Sequence, residues 1–385
     1  MSDVSTTSVF MDAGRKRSLR PVAAALDPVL NDAILVFGLP RSGTSWLGKI
    51  FDSQPDTLYR HEPDTAVKAD AIPLTPTVDE LDSYGTALVE YLNEMVDVRS
   101  TKVSAKLPVF RKSYFGPLRY QARQKAIWAA KIGSRLFGEL SIPDLMTGRE
   151  KRDVRLVWKS IESLGRLGML SRLSRDFRII HIIRHPCGFI ASTLRGEAGS
   201  KFVSATPAAE NRRVFEMLLS TEPARARGLT IGKLADLRPE ERLAWRWLLF
   251  NEKAMLDAET ADNCLTLRYE DLCADPMTEA RRLFAFAGLD WAAQTESFVS
   301  RTVSRDETAY YSLYKNPLRT ANRWRDDMAR DDIERVQAIV ADSRPGLLYA
   351  QDFSFPGDSA TIPRGLNRPP SSQNNEPPGN ALRSA

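Results

Sequence analysis

Two groups of residues in this chain have the types and spacing to hold phosphate. The first is Gly38-Leu39-Pro40-Arg41-Ser42-Gly43-Thr44-Ser45-Trp46. Gly38 and Gly43 match the glycines of G-x-x-x-x-G-K-[ST], and Ser45 fills its final hydroxyl position. Thr44 stands where that pattern has lysine, and Arg41 sits inside the loop. A nucleoside triphosphate needs the lysine on its β- and γ-phosphates and Mg²⁺ on the hydroxyl. The missing lysine argues against a kinase or an ordinary NTPase. Backbone N–H groups from Ser42 to Trp46, with the Thr44 and Ser45 hydroxyls, suit a single phosphate, and Arg41 suits a second oxyanion attached to it. The second group is Arg184 and Ser192 in IIHIIRHPCGFIASTLRG. Arg184 ends an apolar strand beside a helix N-terminus, a favourable place for phosphate. Ser192 lies about two turns into that helix. The two groups together point to a ligand with two separate phosphates.

The elements that position them are strands alternating with helices. Apolar runs at 33–37, 154–158, 178–183 and 264–269 predict strands, and a further strand precedes Glu62. Helical spacing is present at 44–53, 79–96, 186–194, 240–259, 276–287 and 331–342. Continuous rather than alternating apolar strands, separated by helices, predict a central, mostly parallel sheet covered on both faces. Ligands of such sheets bind at the carboxyl ends of the strands. The expected organisation is a flexible arm at 1–30, one three-layer, P-loop-like α/β domain at 31–353, and a Pro/Ser/Asn-rich disordered tail at 354–385. The basic helical stretch 119–137 reads either as a solvated face or as a contact for an anionic glycan or membrane surface.

The 385 residues carry a net charge of +5, a mild excess that suits an anionic ligand and falls far short of a nucleic-acid-binding composition. Cys187, Cys264 and Cys273 have no metal-like spacing, so no metal site is expected. No window approaches 18 consecutive apolar residues, so no transmembrane segment is expected. A reducing, cytoplasmic setting is the simplest expectation.

With both phosphate groups in view, the chain resembles the sulfotransferases that use 3′-phosphoadenosine 5′-phosphosulfate (PAPS). That cofactor carries a 5′-phosphosulfate and a 3′-phosphate. Pro40 to Trp46 resembles the family's 5′ loop, and Arg184 with Ser192 its 3′ site. The resemblance implies that Trp46 stacks on the adenine and that adenosine 3′,5′-bisphosphate is the product. Tyr269-Glu270-Asp271-Leu272 ahead of a Pro276-started helix resembles a further, mainly architectural family segment, in which Asp275 can cap the helix. The late basic stretch resembles the loop that closes over the 3′-phosphoadenosine. Lys315, Arg319 and Arg323 are its candidates, with Lys315 first.

The departures from the family matter most for proton transfer. Members acting on phenols and steroids carry Lys-Thr-His after an internal strand, with His as base; here the stretch is Lys159-Ser160-Ile161. Lys159 remains available to the transferring sulfuryl group. The loop Arg41 and the segment PDTLYRHEP resemble the carbohydrate sulfotransferases, whose Glu-Pro glutamate maps to Glu62. Glu62 is the base candidate, with His61 its rival; such a base contributes about 10²–10⁴-fold. Arg41 and Lys159 are expected to stabilise the charge that develops in transfer. His185 reads as a supporting residue and His181 as a core residue. The expected acceptor is a hydroxyl of a sugar, glycolipid or related metabolite, and the oligomeric state stays open.

Overall fold

The structure is a computed structural model that describes residues 24–138, 140–142, 146, 154–200, 206–304 and 316–354. The strands are β1 (Ile34–Phe37), β2 (Thr57–His61), β3 (Arg155–Ser160), β4 (Arg178–Ile183) and β5 (Cys264–Arg268), in the spatial order β2-β3-β1-β4-β5. Every pairing between them is parallel. The main covering helices are α1 (Thr44–Asp52), α2 (Leu81–Val96), α3 (Pro117–Phe137), α4 (Leu167–Leu173), α5 (Pro186–Ala198), α6 (Pro239–Ala258), α7 (Pro276–Ala287) and α8 (Arg330–Val340).

The strands are buried on both faces, which is why they read as continuous apolar runs. Ile34, Leu35, Val36 and Phe37 have no exposed surface at all. Each such side chain contributes roughly 1.5–3 kcal/mol of burial. Ile34, Val36, Ile180 and Ile182 pack on α1 and α7 through Leu47, Ile50, Leu283 and Phe284. The alternate face meets α6, where His181 Nε2 is 2.9 Å from Asn251 Oδ1. Burial lowers His181 to about 4, as befits a core histidine.

Register gathers the predicted groups at one edge. Phe37 is level with Ser160 and His181, His61 with Lys159, and Ile183 with Arg268. Gly38, Glu62, Arg184 and Tyr269 therefore leave their strands side by side at the carboxyl end. The chain leaves β1 toward β2 on one side and β4 toward β5 on the other. The switch point lies between β1 and β4, where Gly38 and Arg184 emerge.

Two boundaries differ from the expectation. The segment before β1 is anchored rather than loose where it is described. Asp27 caps a short 3₁₀ turn at Pro28–Leu30, its backbone N–H reaches Asn93 Oδ1 at 2.8 Å, and Val29 and Leu30 are buried. The compact unit holding the sheet ends at Ala350, and Gln351 begins a second unit. Residues 1–23 and 355–385, where the rest of the arm and tail fall, lie outside the described residues.

Candidate active site

Backbone geometry shapes the phosphate end. A Cβ on Gly38 would stand 2.4 Å from the Ile182 carbonyl, so only glycine lets β1 and β4 approach this closely. Gly43 has φ +89°, and a Cβ there would run into the Tyr269 ring. Arg41 and Glu62 are two of three described non-glycine residues with positive φ, at 71° and 50°. Such strain persists where the surroundings impose it and clusters at functional sites.

The nine-residue α1 starts at Thr44 with no side-chain cap. The N–H groups of Gly43, Thr44 and Ser45 find no acceptor among the described residues; the helical ladder begins with Trp46 N–H donating to the Gly43 carbonyl at 3.0 Å. These unused donors and the helix dipole form an anion cradle. Ser42 and Thr44 are buried in it.

Arg184 and Ser192 are drawn to the same loop. Arg41 Nε donates to Ser192 Oγ at 3.0 Å. Arg184 Nη1 donates to the Arg41 carbonyl at 2.9 Å and Nη2 to the Thr320 carbonyl at 2.7 Å. Its guanidinium lies over the Tyr269 ring, 4.9 Å from the centroid. Arg184 is 5% exposed, makes no ion pair among the described residues, and its Nε–H has no acceptor there. Glu270 interacts with this charge electrostatically but makes no direct ion pair with it; a buried cation without a direct partner is costly, and a phosphate oxygen would relieve that cost.

The turn after β4 is held from below. The His185 backbone N–H donates to Glu270 Oε1 at 3.0 Å, and the Tyr349 hydroxyl donates to Glu270 Oε2 at 3.0 Å and to the Ile183 carbonyl at 3.1 Å. His185 Nδ1 accepts from Cys187 N–H at 3.2 Å, capping α5, and its ring stacks on Trp324 at 4.3 Å. His185 is thus a supporting residue. Asp275 accepts from Thr278 N–H at 3.1 Å, capping α7 as expected.

The other end holds the chemistry-bearing side chains. Lys159 Nζ donates to Glu62 Oε1, and the Glu62 backbone N–H donates to the Lys159 carbonyl at 2.7 Å. Burial holds the Lys159 ammonium below its ordinary pKa, with Glu62 opposing that shift. His61 Nδ1 is 2.8 Å from the Tyr59 hydroxyl, and its Nε2 is 3.9 Å from Glu62 Oε1. Burial, reinforced by the Lys159 charge, pushes His61 well below the usual imidazole range, so it is neutral and weakly basic. Glu62 is the more open of the two, its side chain 22% exposed against 8% for His61.

Asp64 is a member of this end that the sequence reading missed. It accepts from Ser160 Oγ and from Ser163 Oγ at 3.0 Å, while its Oδ1 is buried with no partner. Burial raises its pKa to about 6. The clue available in the sequence was its position two residues after Glu62, on the same tight turn.

Trp46 and the late basic residues are placed differently from what the resemblance implies. Trp46 sits in the core, 7% exposed, edge-on to Tyr269, with Nε1–H donating to Thr302 Oγ1 at 3.3 Å. Among the described residues, the late segment reaches the site through the Thr320 carbonyl, which accepts from Arg184 Nη2. Arg319 is exposed. Arg323, also exposed, pairs with Asp327 at 3.4 Å. Lys315 lies outside the described residues.

The parallel α/β sheet thus brings together a lysine-free glycine loop, the buried Arg184 at the switch point and a carboxylate–lysine pair. The sulfotransferase family model matches residues 33–293, and the chain belongs to that family. It is 24% identical over 380 residues to carbohydrate sulfotransferase 6 of Homo sapiens, covering 87% of this chain and 86% of the relative. It is 25% identical to carbohydrate sulfotransferase 5 of Homo sapiens over 205 residues, 48% of this chain and 43% of that one. Among solved structures, the sulfotransferase domain from the Synechococcus PCC 7002 olefin synthase aligns at a TM-score of 0.39 and 16% identity, over 80% of this chain and 94% of that one.

Proposed function

We propose that this sulfotransferase uses PAPS and sulfates a hydroxyl on a sugar or glycolipid. The observation that carries the donor reading is the buried, ion-pair-free Arg184 beside the uncapped start of α1. The residues fit the group: the N–H groups of Gly43 to Ser45 would hold the 5′-phosphate, and Arg184 with Ser192 the 3′-phosphate. When bound, PAPS supplies an activated sulfuryl group, so that the acceptor oxygen forms the new S–O bond and the bond to the 5′-phosphate breaks. The carbohydrate relatives support a sugar acceptor. The three free cysteines, none in a disulfide, support the reducing, cytoplasmic setting.

Lys159 and Glu62 act as a linked pair. In the resting site Lys159 holds Glu62 Oε1. Lys159 would hold a sulfonate oxygen of the bound donor, and Glu62 Oε1, no longer held by that ammonium, would take the acceptor's proton. Arg41, held by Ser192 Oγ, would meet the second oxyanion of the donor. His61, neutral and tied to Tyr59, orients the turn.

The test is transfer of label from ³⁵S-PAPS in EDTA to a panel of sugars, glycolipids and phenols. Metal-independent labelling of sugar hydroxyls is the expected result. Labelling of phenols alone would overturn the acceptor reading, and no labelling with any acceptor would overturn the donor reading.

A further inference from the structure

Helix α3 carries more large apolar residues on its outside than on its inside. Its buried residues are Ile127 and Ala130, which pack with Ala105 and Ile142. Facing solvent are Leu118 at 81% exposure, Trp128 at 56%, Ile132 at 59% and Leu136 at 74%. At 100° per residue these four fall within an arc of about 80°, and the stripe they form is about 27 Å long. The same 21 residues contain five basic side chains and no acidic one. The whole chain has a net charge of +5, so the rest of the molecule is balanced and the excess sits on this helix. Lys125 lies within the apolar stripe, exposed and with no ion pair among the described residues.

We propose that α3 is an interfacial helix that docks this protein on an anionic lipid surface. An apolar stripe that includes the exposed Lys125, on a helix without acids, fits the boundary between acyl chains and anionic headgroups. A second copy of the chain fits poorly, because it would set the exposed Lys125 against its own copy with no acid on the helix to pair with it. A free anionic polymer would satisfy the cations and leave Trp128, Ile132 and Leu136 in water. No helix among the described residues is long and apolar enough to cross a membrane, so the attachment lies on the surface rather than through it.

The experiment uses the full chain and large vesicles of phosphatidylcholine, alone or with about a third phosphatidylglycerol. Co-sedimentation reads binding, and quenching by brominated acyl chains reads tryptophan insertion. The expected results are binding to the mixed vesicles only, tryptophan quenching by the bromolipid, and at least tenfold weaker binding for Trp128→Glu/Ile132→Glu. Lys125→Glu should weaken binding by a smaller factor, and added salt should do the same. These positions are exposed, and the quenching measurement on the unaltered chain stands even if a variant folds poorly. The proposal is overturned if the unaltered chain ignores the mixed vesicles. It is also overturned if binding survives the double variant unquenched, which would mark a purely ionic contact. Self-association abolished by the same double variant would assign the face to a second copy. Vesicle binding gained only on deleting residues 355–385 would assign it to that segment.

Discussion

The two ends of the candidate site hold their charges in opposite ways. At the phosphate end, Arg184 is buried without an ion pair and α1 begins without a cap. Its charges wait for a ligand, and its shape is fixed by backbone: the Gly38 approach to Ile182, the left-handed Arg41 and Gly43, and Arg184 on two carbonyls. At the reaction end, Lys159 and Glu62 neutralise each other, and Asp64 is held by two serines. The first end is built to bind without rearrangement. The second is built to stay inactive until an anion separates its pair. Binding and proton transfer should therefore respond to different substitutions.

The largest separation should come from Glu62→Gln. The amide keeps the shape and loses proton acceptance, so turnover at saturating PAPS should fall by about 10²-fold or more while affinity for adenosine 3′,5′-bisphosphate holds. A variant with near-full turnover would remove Glu62 as base. Arg184→Met should do the reverse. Losing a charge-assisted contact of about 1.5–3 kcal/mol should weaken the bisphosphate by roughly 10–150-fold and leave adenosine 5′-phosphate nearly unchanged. If both nucleotides weakened equally, Arg184 would be shaping the loop rather than meeting the 3′-phosphate.

Asp64 sharpens the comparison through pH. Its pKa in the folded chain is about 6 against an ordinary 3.8, so folding favours its protonated form. That contribution is complete below about pH 4 and is lost as pH rises through 6. Asp64→Asn removes the loss, so the variant should gain stability relative to the parent between pH 4 and pH 7, read from urea midpoints. Parallel curves would mean that Asp64 is ionised throughout. The smallest effect is expected at His61. His61→Gln should lower turnover only a few-fold, because a neutral imidazole bonded to Tyr59 is a poor base. An inactive His61 variant beside an active Glu62→Gln would transfer the base to His61.

The sequence made the phosphate end legible because its function is written in backbone chemistry. Gly38 and Gly43 mark a turn, apolar runs mark strands, and a strand-end arginine marks the second site; none needs distant side chains to be read. The continuous apolar strands also gave the parallel sheet, since burial on both faces leaves no alternation. The reaction end was only partly readable. Glu62 and Lys159 were each identifiable, but their pairing depends on the register of β2 on β3, which spacing cannot supply. Asp64 was invisible because its raised pKa comes from burial, which outweighs the opposing hydrogen bonds from Ser160 and Ser163. Trp46 was misplaced by motif reasoning: the residue is right, but its indole serves the core and Thr302. The late basic stretch was found by its place in the chain, and the Thr320 carbonyl within it accepts from Arg184.

The central claim is that a buried, preformed cation at the switch point recognises a second phosphate without metal. Calorimetry of the full chain in EDTA, with adenosine 3′,5′-bisphosphate and adenosine 5′-phosphate titrated separately, tests it most directly. The account predicts that the bisphosphate binds at least tenfold more tightly, and that added Mg²⁺ changes neither affinity. Equal affinities, or binding of the bisphosphate only when Mg²⁺ is present, would contradict it.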